Sequence, residues 1–473
     1  MTTKQIYGYQ LLAPLLTHGH YDEWFLQRVG GDMIDFEIEL GGNGVWDGTY
    51  ATGPLDLARV LAGDNPAASY YPLVSLMEAF ENNPYGARAA LAGSVESLEG
   101  GGLHLPRVDY LVTDKEWGPY ESGLETFGRV LEHVAGITME RGPDGELRQL
   151  YPPDERSYRI VESIVYAIAN DDTVKETPIE ERDVVVDTLR PYLGRVAAGY
   201  IDDMHWSMLG GHSDSAVPGE QNVSVDSSDL QYFLAELGRN AEARETVMVA
   251  EEVYMSVLYD YYLSGAGGHD DVFEAATNSV IEPAARMFGA LDIGAATQID
   301  GKWEEQAAAH NRELENRYLV YQLGANLGGD LLDATGAPLP VGSIVFGVEE
   351  LLERRMEGEQ VSHVGQADWE IGVMRELSRQ RLEEQALMGA YRHTDPDELP
   401  DHVQAVLVED GELKPIEEWL HRPNSREYIV WREYLSNGGA DSGARSLESA
   451  ARGAYNEEYG AANDDLAGSR LES

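Results

Sequence analysis

The sequence predicts a mainly α-helical protein, an irregular multi-helix array of αα-hairpins with one or two small β-hairpins. Two observations predict the helices. Three phrases carry paired helix-end signals, and apolar residues recur at helical spacing along most of the chain. A third observation limits the strands, because only two segments place Asp-Gly between short apolar alternations. With 473 residues, 43% of them hydrophobic, the chain is long enough for several compact units.

Three phrases predict corners between consecutive helices. They read LARVLAGDNPAA at 57–68, LMEAFENNPYGA at 76–87 and FLAELGRNAEA at 233–243. Each has apolar residues at helical spacing, then a Gly or Asn expected to end the helix in a left-handed conformation, then an Asn expected to cap the next helix. Two of the three also place Pro at the first helical position. Their irregular spacing argues against a fixed-period solenoid and leaves a chance recurrence of cap signals as the alternative.

Apolar stripes predict the other helices. The first is expected over 21–29, and the next segment, MIDFEIEL at 33–40, alternates like a strand but also satisfies the i, i+4 spacing of a helix. Pro191 and Pro283 fall inside two later stripes and should kink or restart those helices. The later stripes cover these ranges: 160–168, 189–204, 227–258, 280–291, 303–323 and 366–391.

Strand signals are confined to two places, and they complete a four-part organisation. Tight hairpins are expected within 136–151 and 405–416, where Asp-Gly separates short apolar runs. From Asn437 onward the chain is dominated by Gly, Ala, Ser and acidic residues, a composition that buries little surface. The predicted regions are an N-terminal helical region with a β-hairpin near its end at 1–150, a central helical domain with a Gly-rich apolar hairpin at 151–360, a long helix plus β-hairpin at 361–436, and a mobile acidic tail at 437–473.

The charge excludes two classes of partner. The chain has 84 Asp and Glu residues against 34 Lys and Arg residues, for a formal net charge of −50. Proteins bind nucleic acid and anionic membranes through clustered cations, so neither is expected as a partner. The absence of cysteine excludes disulfides, thiolate nucleophiles and Cys-ligated metals, and it fits a cytoplasmic or an exported protein equally well.

The densest cluster of metal-ligating residue types lies near the N-terminus, at His18, His20 and Asp22. A loop carrying His-x-His can bring two imidazoles and a carboxylate onto one metal ion. The alternative is a capped turn, in which Asp22 complements the positive end of the helix that follows. The sequence alone favours the capped turn.

Two further groups are candidates for acid–base catalysis. Asp202, Asp203 and His205 fall within one helical turn, and His212 and Asp214 lie in a Gly-rich loop. A carboxylate pair with an imidazole can move protons, and a structure in which His205 faced Asp202 in a cleft would favour an enzyme. In so acidic a chain, however, adjacent carboxylates occur by chance and usually form a solvated face. No nucleophile elbow, phosphate loop, zinc-protease motif or dinucleotide fingerprint accompanies them, so no cofactor is predicted and an enzyme is the less favoured hypothesis.

One stretch, 318–356, is apolar with a G-x-x-x-G spacing at Gly324 and Gly328. Neither half approaches the roughly 20 residues of a spanning helix, so no constitutive membrane anchor is predicted. A Gly-mediated helical hairpin packed inside the protein is the favoured interpretation. A hairpin that inserts into a membrane after a conformational change is the alternative.

Several ordered phrases resemble a known family. QLLAPLLTHGHYDEWFLQRVGGDMIDFE, VWDG, PLDLARVLAGDNPAA, LMEAFENNPYGARAAL, LGRVAAGYIDDMHWSMLGG and LQYFLAELGRNAEARETVMVAEEVY are similar to actinobacterial helical proteins described as a tetratricopeptide-like repeat region. In such proteins this region commonly follows a WXG-type helical hairpin handled by type VII secretion. The resemblance implies a role in secretion or toxin delivery and supplies no active-site residues. Tyr391 and Asp395 fit the Y-x-x-x-[DE] export pattern, as do several other positions.

The resulting hypothesis is a non-enzymatic scaffold or delivery module that acts through protein–protein contacts in an actinobacterial secretion or antagonism system. The expected partner is a protein, such as a WXG-type hairpin protein or a secretion component. A hydrolase or metal-dependent enzyme using the His/Asp loops, and a soluble protein that inserts its Gly-rich hairpin into membranes, are the alternatives. The apolar run at 11–16 is too short for a Sec signal, so we expect synthesis in the cytoplasm, with export by another route left open.

Overall fold

The structure is a computed structural model, and it confirms a mainly helical protein with small antiparallel hairpins. It describes residues 8–17, 19–45, 71–93, 95–97, 103–115, 117, 121–143, 147–171, 185, 187–210, 221–263, 277–297, 367–416, 419–420, 425–436, 451, 453–457 and 459–460. Three of the sequence predictions, at 57–68, 303–323 and 318–356, lie outside these residues.

The described residues form two compact units. Those up to Gly199 belong to unit 1 and those from Tyr200 onward to unit 2, so the division falls inside the region 151–360 that the sequence suggests is one domain. The helices and strands of unit 1 are α1 (Gly8–Leu16), α2 (Glu23–Phe25), α3 (Gly31–Glu39), α4 (Pro72–Asn82), α5 (Pro84–Leu91), β1 (Glu96–Ser97), β2 (Leu103–His104), α6 (Pro106–Asp109), α7 (Glu121–Ala135), β3 (Met139–Arg141), β4 (Leu147–Gln149), α8 (Glu155–Asn170) and α9 (Arg190–Gly199).

The predicted corner at 76–87 is present in unit 1. Helix α4 ends at Asn82, and the Asn83 side chain accepts a hydrogen bond from the Gly86 N–H at 3.1 Å, with Pro84 opening α5. The expected left-handed helix end is wrong, because Asn82 is the last residue of α4 and does not have a positive φ. The capping residue Asn83 has φ −144°. Helix α4 packs against α1 and α7, which places its apolar face in the core.

The ambiguous segment at 33–40 is helical. Helix α2, a π-helical turn at Leu26–Gly30 and α3 run without a break from Glu23 to Glu39. The buried side chains include Leu26, Met33 and Ile34, which recur at helical rather than strand spacing. The i, i+4 pattern therefore prevails over the alternation because α3 packs on α4 and α6 and pairs with no strand among the described residues.

Three two-stranded antiparallel ladders are present among the described residues. Strands β3 and β4 confirm the hairpin within 136–151, with Glu140 opposite Arg148. The ladder of β1 and β2 is not predicted by the sequence, because its connecting residues carry no hairpin dipeptide flanked by alternating apolar residues.

Unit 2 begins with α10 (Ile201–Ser207). Its other helices and strands are α11 (Ser227–Gly238), α12 (Ala241–Leu263), α13 (Glu282–Ala296), α14 (Ala367–Arg392), α15 (Asp401–Leu407), β5 (Val408–Glu409), β6 (Glu412–Leu413) and α16 (Arg426–Ser436). Strands β5 and β6 confirm the second hairpin, whose turn residues Asp410 and Gly411 both have positive φ. Pro191 and Pro283 each lie within the first two residues of a helix, so both prolines restart helices as expected.

The corner at 233–243 is also confirmed, with one correction. Asn240 caps α12, since its side chain accepts hydrogen bonds from the N–H groups of residues 242 and 243 at 3.0 and 3.1 Å. Gly238, expected as a left-handed helix end, is instead a site of close helix packing. A Cβ there would lie 2.0 Å from the Leu291 carbonyl oxygen, and one at Gly294 would lie 1.8 Å from that of Ala235. These two glycines let α11 and α13 approach backbone to backbone.

Helix α12 is buried around most of its circumference, charged residues included. Arg381 of α14 donates to both carboxylate oxygens of Glu245 at 3.0 Å and lies 3.2 Å from Glu252. Arg244 pairs with Asp292 of α13 at 2.6 Å. These ion pairs satisfy charges that α12 could not bury alone.

The C-terminal part of unit 2 has its own apolar cluster. Tyr391, which fits the export pattern, is buried with its ring 5.0 Å from Trp419 and 5.1 Å from Trp431, and Asp395 caps a short 3-10 turn. Part of the tail expected to be mobile, 437–473, is packed, and the rest of it lies outside the described residues. Residues 453–457 and 459–460 are helical, and Tyr455 is only 1% exposed. Across the described ranges, no helix is long and apolar enough to cross a membrane.

Candidate functional site

The N-terminal histidine cluster is partly described. Asp22 is the N-cap of α2, because its Oδ1 accepts a hydrogen bond from the Phe25 N–H at 2.7 Å, and His20 is exposed beside it. His18 lies outside the described residues. Within the described ranges no group of three His, Asp or Glu residues is placed to hold a metal ion, so a metal at His18, His20 and Asp22 stays a prediction.

His205 is paired, but not with its neighbours in sequence. Its Nδ1 lies 2.6 Å from Glu251 Oε1, and its Nε2 lies 2.7 Å from the carbonyl oxygen of Ser279. Because a carbonyl oxygen only accepts hydrogen bonds, Nε2 must carry a proton. Asp203 is engaged elsewhere, accepting a hydrogen bond from the Asn222 N–H at 2.9 Å.

The His205–Glu251 pair links three elements of unit 2. It joins α10 to α12 and to the π-helical turn at Thr277–Ile281 that precedes α13. Both side chains are 0% exposed, so neither group faces solvent. The geometry therefore indicates a structural cross-link; the two remaining candidates, His212 and Asp214, lie outside the described residues.

A different place in unit 1 has the properties of a binding site. Trp24 has the largest exposed fraction among the exposed large hydrophobic side chains described, 68%. It lies on the first turn of the helix that starts at Glu23, and Gln27 and Arg28 follow it at i+3 and i+4 on the same side. All three are exposed, whereas Leu26 on the opposite side is fully buried.

The chain around Trp24 is fixed by polar and aromatic contacts. The Tyr21 ring stacks on Phe25 at 4.9 Å, and the Asn83 side chain donates to the Tyr21 carbonyl oxygen at 2.8 Å. Glu23 pairs with Arg156 of α8 at 2.7 Å. These contacts tie α2 to α5 and α8, so Trp24 is exposed on a positioned helix.

The floor beside Trp24 is formed by Arg107 of α6. Its Nε and Nη2 donate to the two carboxylate oxygens of Asp35 at 2.7 and 2.5 Å, and its Nη1 donates to the carbonyl oxygen of Ala90. A Cβ at Gly31 would lie 2.4 Å from Nη1, so glycine is needed for the guanidinium to pass close to the helix backbone. Arg107 is therefore held in place by Asp35 and the carbonyl oxygen of Ala90. The missing side chain at Gly31 leaves the space that the guanidinium occupies.

These residues surround a cavity of about 350 Å³, which we call the Trp24 groove. Its lining residues are Trp24, Gln27, Arg28, Asp32, Asp35, Gly93 and Arg107. Both carboxylates are engaged, since Asp35 pairs with Arg107 and Asp32 accepts the hydroxyl hydrogen bond of Tyr9. Burial and, second, this hydrogen bond raise the pKa of Tyr9 to about 12. Arg28 and Gln27, by contrast, make no side-chain hydrogen bond or ion pair with any residue in the described ranges.

The chemistry of the Trp24 groove suits binding. It has an exposed indole, hydrogen-bond donors at its rim that are unpaired within the described ranges, and no hydroxyl or thiol nucleophile among its lining residues. Sequence reasoning missed it, although Trp24 stands on the polar side of a stripe that includes Leu26, Gly30 and Met33, where a tryptophan is unexpected. Comparison with known proteins identified no matching family, curated protein or solved structure.

Proposed function

We propose that this protein is a non-enzymatic helical module that acts through protein–protein contacts, and that the Trp24 groove holds a peptide segment of its partner. The observation that carries the proposal is the 68% exposure of Trp24 at the rim of a cavity of about 350 Å³. A tryptophan is normally covered to a much greater extent. An indole held exposed beside a concave surface is therefore matched to a partner rather than to water.

The size of the expected contribution supports this function. A tryptophan side chain buries up to about 250 Å², so covering the exposed 68% removes roughly 170 Å² from water. At about 25 cal/mol per Å² this corresponds to about 4 kcal/mol before the costs of association. Trp and Arg are also the residues on which interface free energy concentrates, and Arg28 lies one turn from Trp24.

The floor of the groove adds preorganisation. Arg107 is held by Asp35 and by the carbonyl oxygen of Ala90 before any partner arrives. Binding therefore does not have to immobilise this side chain, which is one of the costs that weaken protein association. Gln27 and Arg28 supply hydrogen-bond donors that a backbone carbonyl or a carboxylate of the partner can accept.

The biological setting of the proposal rests on the sequence resemblance alone. On that resemblance we propose an actinobacterial secretion or antagonism system as the setting, with a WXG-type hairpin protein or another secretion component as the partner. The exposed surface of unit 1 is compatible with this setting and does not select among such partners.

A phage-displayed library of random peptides, selected on the purified full chain, tests the proposal. We expect selected peptides to bind the wild-type chain and to bind Trp24→Ala about 30-fold more weakly, as for an interface residue worth about 2 kcal/mol. Ile429→Ala is the matched control, because Ile429 is an apolar residue 44% exposed in unit 2, and it should bind like the wild type. Circular dichroism checks that each variant is folded. A selection that enriches no peptide, or peptides whose affinity is the same for Trp24→Ala, would refute the proposal.

A further inference from the structure

A short helix near the C-terminus completes the packing of unit 2. Residues 453–457 and 459–460 are helical, and Ala451, Tyr455 and Tyr459 follow one another at intervals of four, which puts them on one side. We call the described residues 451, 453–457 and 459–460 the tail helix. Ala451 is 0% exposed and Tyr455 1% exposed, whereas Tyr459 is partly exposed.

The Tyr455 hydroxyl donates a hydrogen bond to Asp292 Oδ2 at 2.5 Å, and Asp292 is itself 0% exposed on α13. The other carboxylate oxygen of Asp292 accepts from Arg244 Nη2 at 2.6 Å and from its Nε at 3.1 Å. Arg244 Nη2 also lies 3.2 Å from the Ser378 hydroxyl of α14. The phenol therefore satisfies the carboxylate oxygen of Asp292 that Arg244 does not reach.

A second aromatic contact lies one turn further along. The Arg375 guanidinium of α14 is centred 3.8 Å from the ring centroid of Tyr459, a cation–π arrangement. The surface under the tail helix thus carries two specific features, an Asp292 oxygen at the bottom of a slot and a cation at its edge. Each is matched to a tyrosine, and the two tyrosines are four residues apart.

The tail helix buries few of its side chains. Among its described residues only Ala451 and Tyr455 are buried. A helix of about ten residues is unstable by itself, so its order depends on docking, and docking must overcome the conformational entropy of the whole segment. Segments with few buried contacts belong to the parts of a protein that open at low free energy.

We propose that the tail helix is the built-in occupant of a helix-binding slot, and that a partner helix presenting a small residue and two tyrosines at four-residue spacing displaces it. The partner's first tyrosine hydroxyl donates to Asp292, and its second ring packs under Arg375. This site lies in unit 2 and is independent of the Trp24 groove, so either proposal can fail without the other.

A labelled synthetic peptide with the sequence of residues 447–463 tests the slot on the full chain by fluorescence anisotropy. In the Tyr455→Ala chain the internal occupant is weakened, and we expect the peptide to bind at least tenfold more tightly than to the wild type. The same peptide carrying Tyr455→Phe should bind the Tyr455→Ala chain about tenfold more weakly, because a charge-assisted hydrogen bond is lost. The matched control is a Tyr85→Ala chain, which removes an exposed tyrosine of unit 1 and should behave like the wild type.

Three outcomes overturn the proposal: no peptide binding to the Tyr455→Ala chain, equal binding to that chain and the wild type, or equal binding of the Tyr and Phe peptides. Hydrogen exchange on the wild-type chain gives an independent reading that needs no variant. We expect the amides of 453–460 to exchange at least 100-fold faster than those of 289–295 in α13. Equal protection of the two segments would show that the tail helix is a permanent part of the core.

Discussion

Replacing Arg88 with Met should strongly destabilise unit 1. Arg88 is 0% exposed in α5, and its guanidinium donates to four backbone carbonyl oxygens. Two of them, His133 and Val134, lie in the last turn of α7, where carbonyls have no partner within the helix. The other two, Tyr151 and Pro152, lie in the segment leading to α8, at 2.7 and 2.8 Å. One side chain therefore joins three parts of unit 1.

The magnitude follows from how deeply each acceptor is buried. Met fills a similar volume, so the cost is the loss of partners rather than a cavity. The buried Val134 carbonyl oxygen, bonded at 2.9 Å, should cost about 1–3 kcal/mol when left without a donor. The other three bonds are partly buried and should cost about 0.5–1 kcal/mol each, since water can replace part of the interaction. The expected loss is roughly 2.5–6 kcal/mol.

The assay is urea unfolding of the full chain followed by circular dichroism, with hydrogen exchange of 121–135 and 147–153 to assign the loss to unit 1. Arg159→Met is the matched control, since Arg159 forms an exposed i, i+4 ion pair with Glu155 and its replacement should cost at most about 0.5 kcal/mol. If Arg88→Met lost less than about 1 kcal/mol, or no more than the control, the assignment of Arg88 as the link between α5, α7 and the start of α8 would be wrong.

Three other predictions concern helix packing, pH and the buried pair. In the same urea titration, Gly238→Ala should destabilise unit 2 by about 2–3 kcal/mol although alanine favours a helix, because the new Cβ meets a backbone carbonyl. The control Gly8→Ala, which has open space around its Cβ, should be neutral. Burial lowers the pKa of His133 from its ordinary 6.5, so on acidification the His133 imidazole is protonated in the unfolded chain before it is protonated in the folded chain. The free energy of unfolding should therefore fall as the pH drops below about 6.5. His133→Phe should remove the contribution of this residue to the shift of the urea midpoint between pH 7 and pH 5. His205→Met and Glu251→Met should each lower the free energy of unfolding by about 3 kcal/mol or more, and the double variant should lower it by less than the sum of the two. Additive losses would show that the two groups do not form a pair.

The corners between helices show which features local sequence predicts. Asn83 and Asn240 act as N-caps, and Pro84 opens a helix, because cap geometry depends on residues within one turn of one another. Gly238 shows the limit of the same reasoning. Its residue type is compatible with a left-handed helix end and with close helix packing, and the choice depends on α13, which begins more than 40 residues later.

The candidate sites show the same limit: the residue types are visible in the sequence, but their partners are not. Asp202, Asp203 and His205 are neighbours in sequence, yet the partner of His205 is Glu251, on another helix, and a sequence pattern contains no information on that pairing. Trp24 was visible as a residue on the polar side of a stripe. Its significance depended on Arg107 of α6 and Asp35 of α3, which pair with each other and line the same cavity as Trp24.

The sequence by itself determined the helical class, both predicted β-hairpins, the caps of the two described corners and the strongly negative charge, because these follow from composition and from interactions within a few residues. The tertiary structure decided which polar groups are buried and with whom. It showed that the tail expected to be mobile contains a packed helix, since Tyr455 finds a carboxylate on Asp292, 163 residues away in the chain. It also showed that an exposed tryptophan adjoins a preformed groove. Burial and pairing are properties of residues brought together by folding, so they become visible only when the helices are placed side by side.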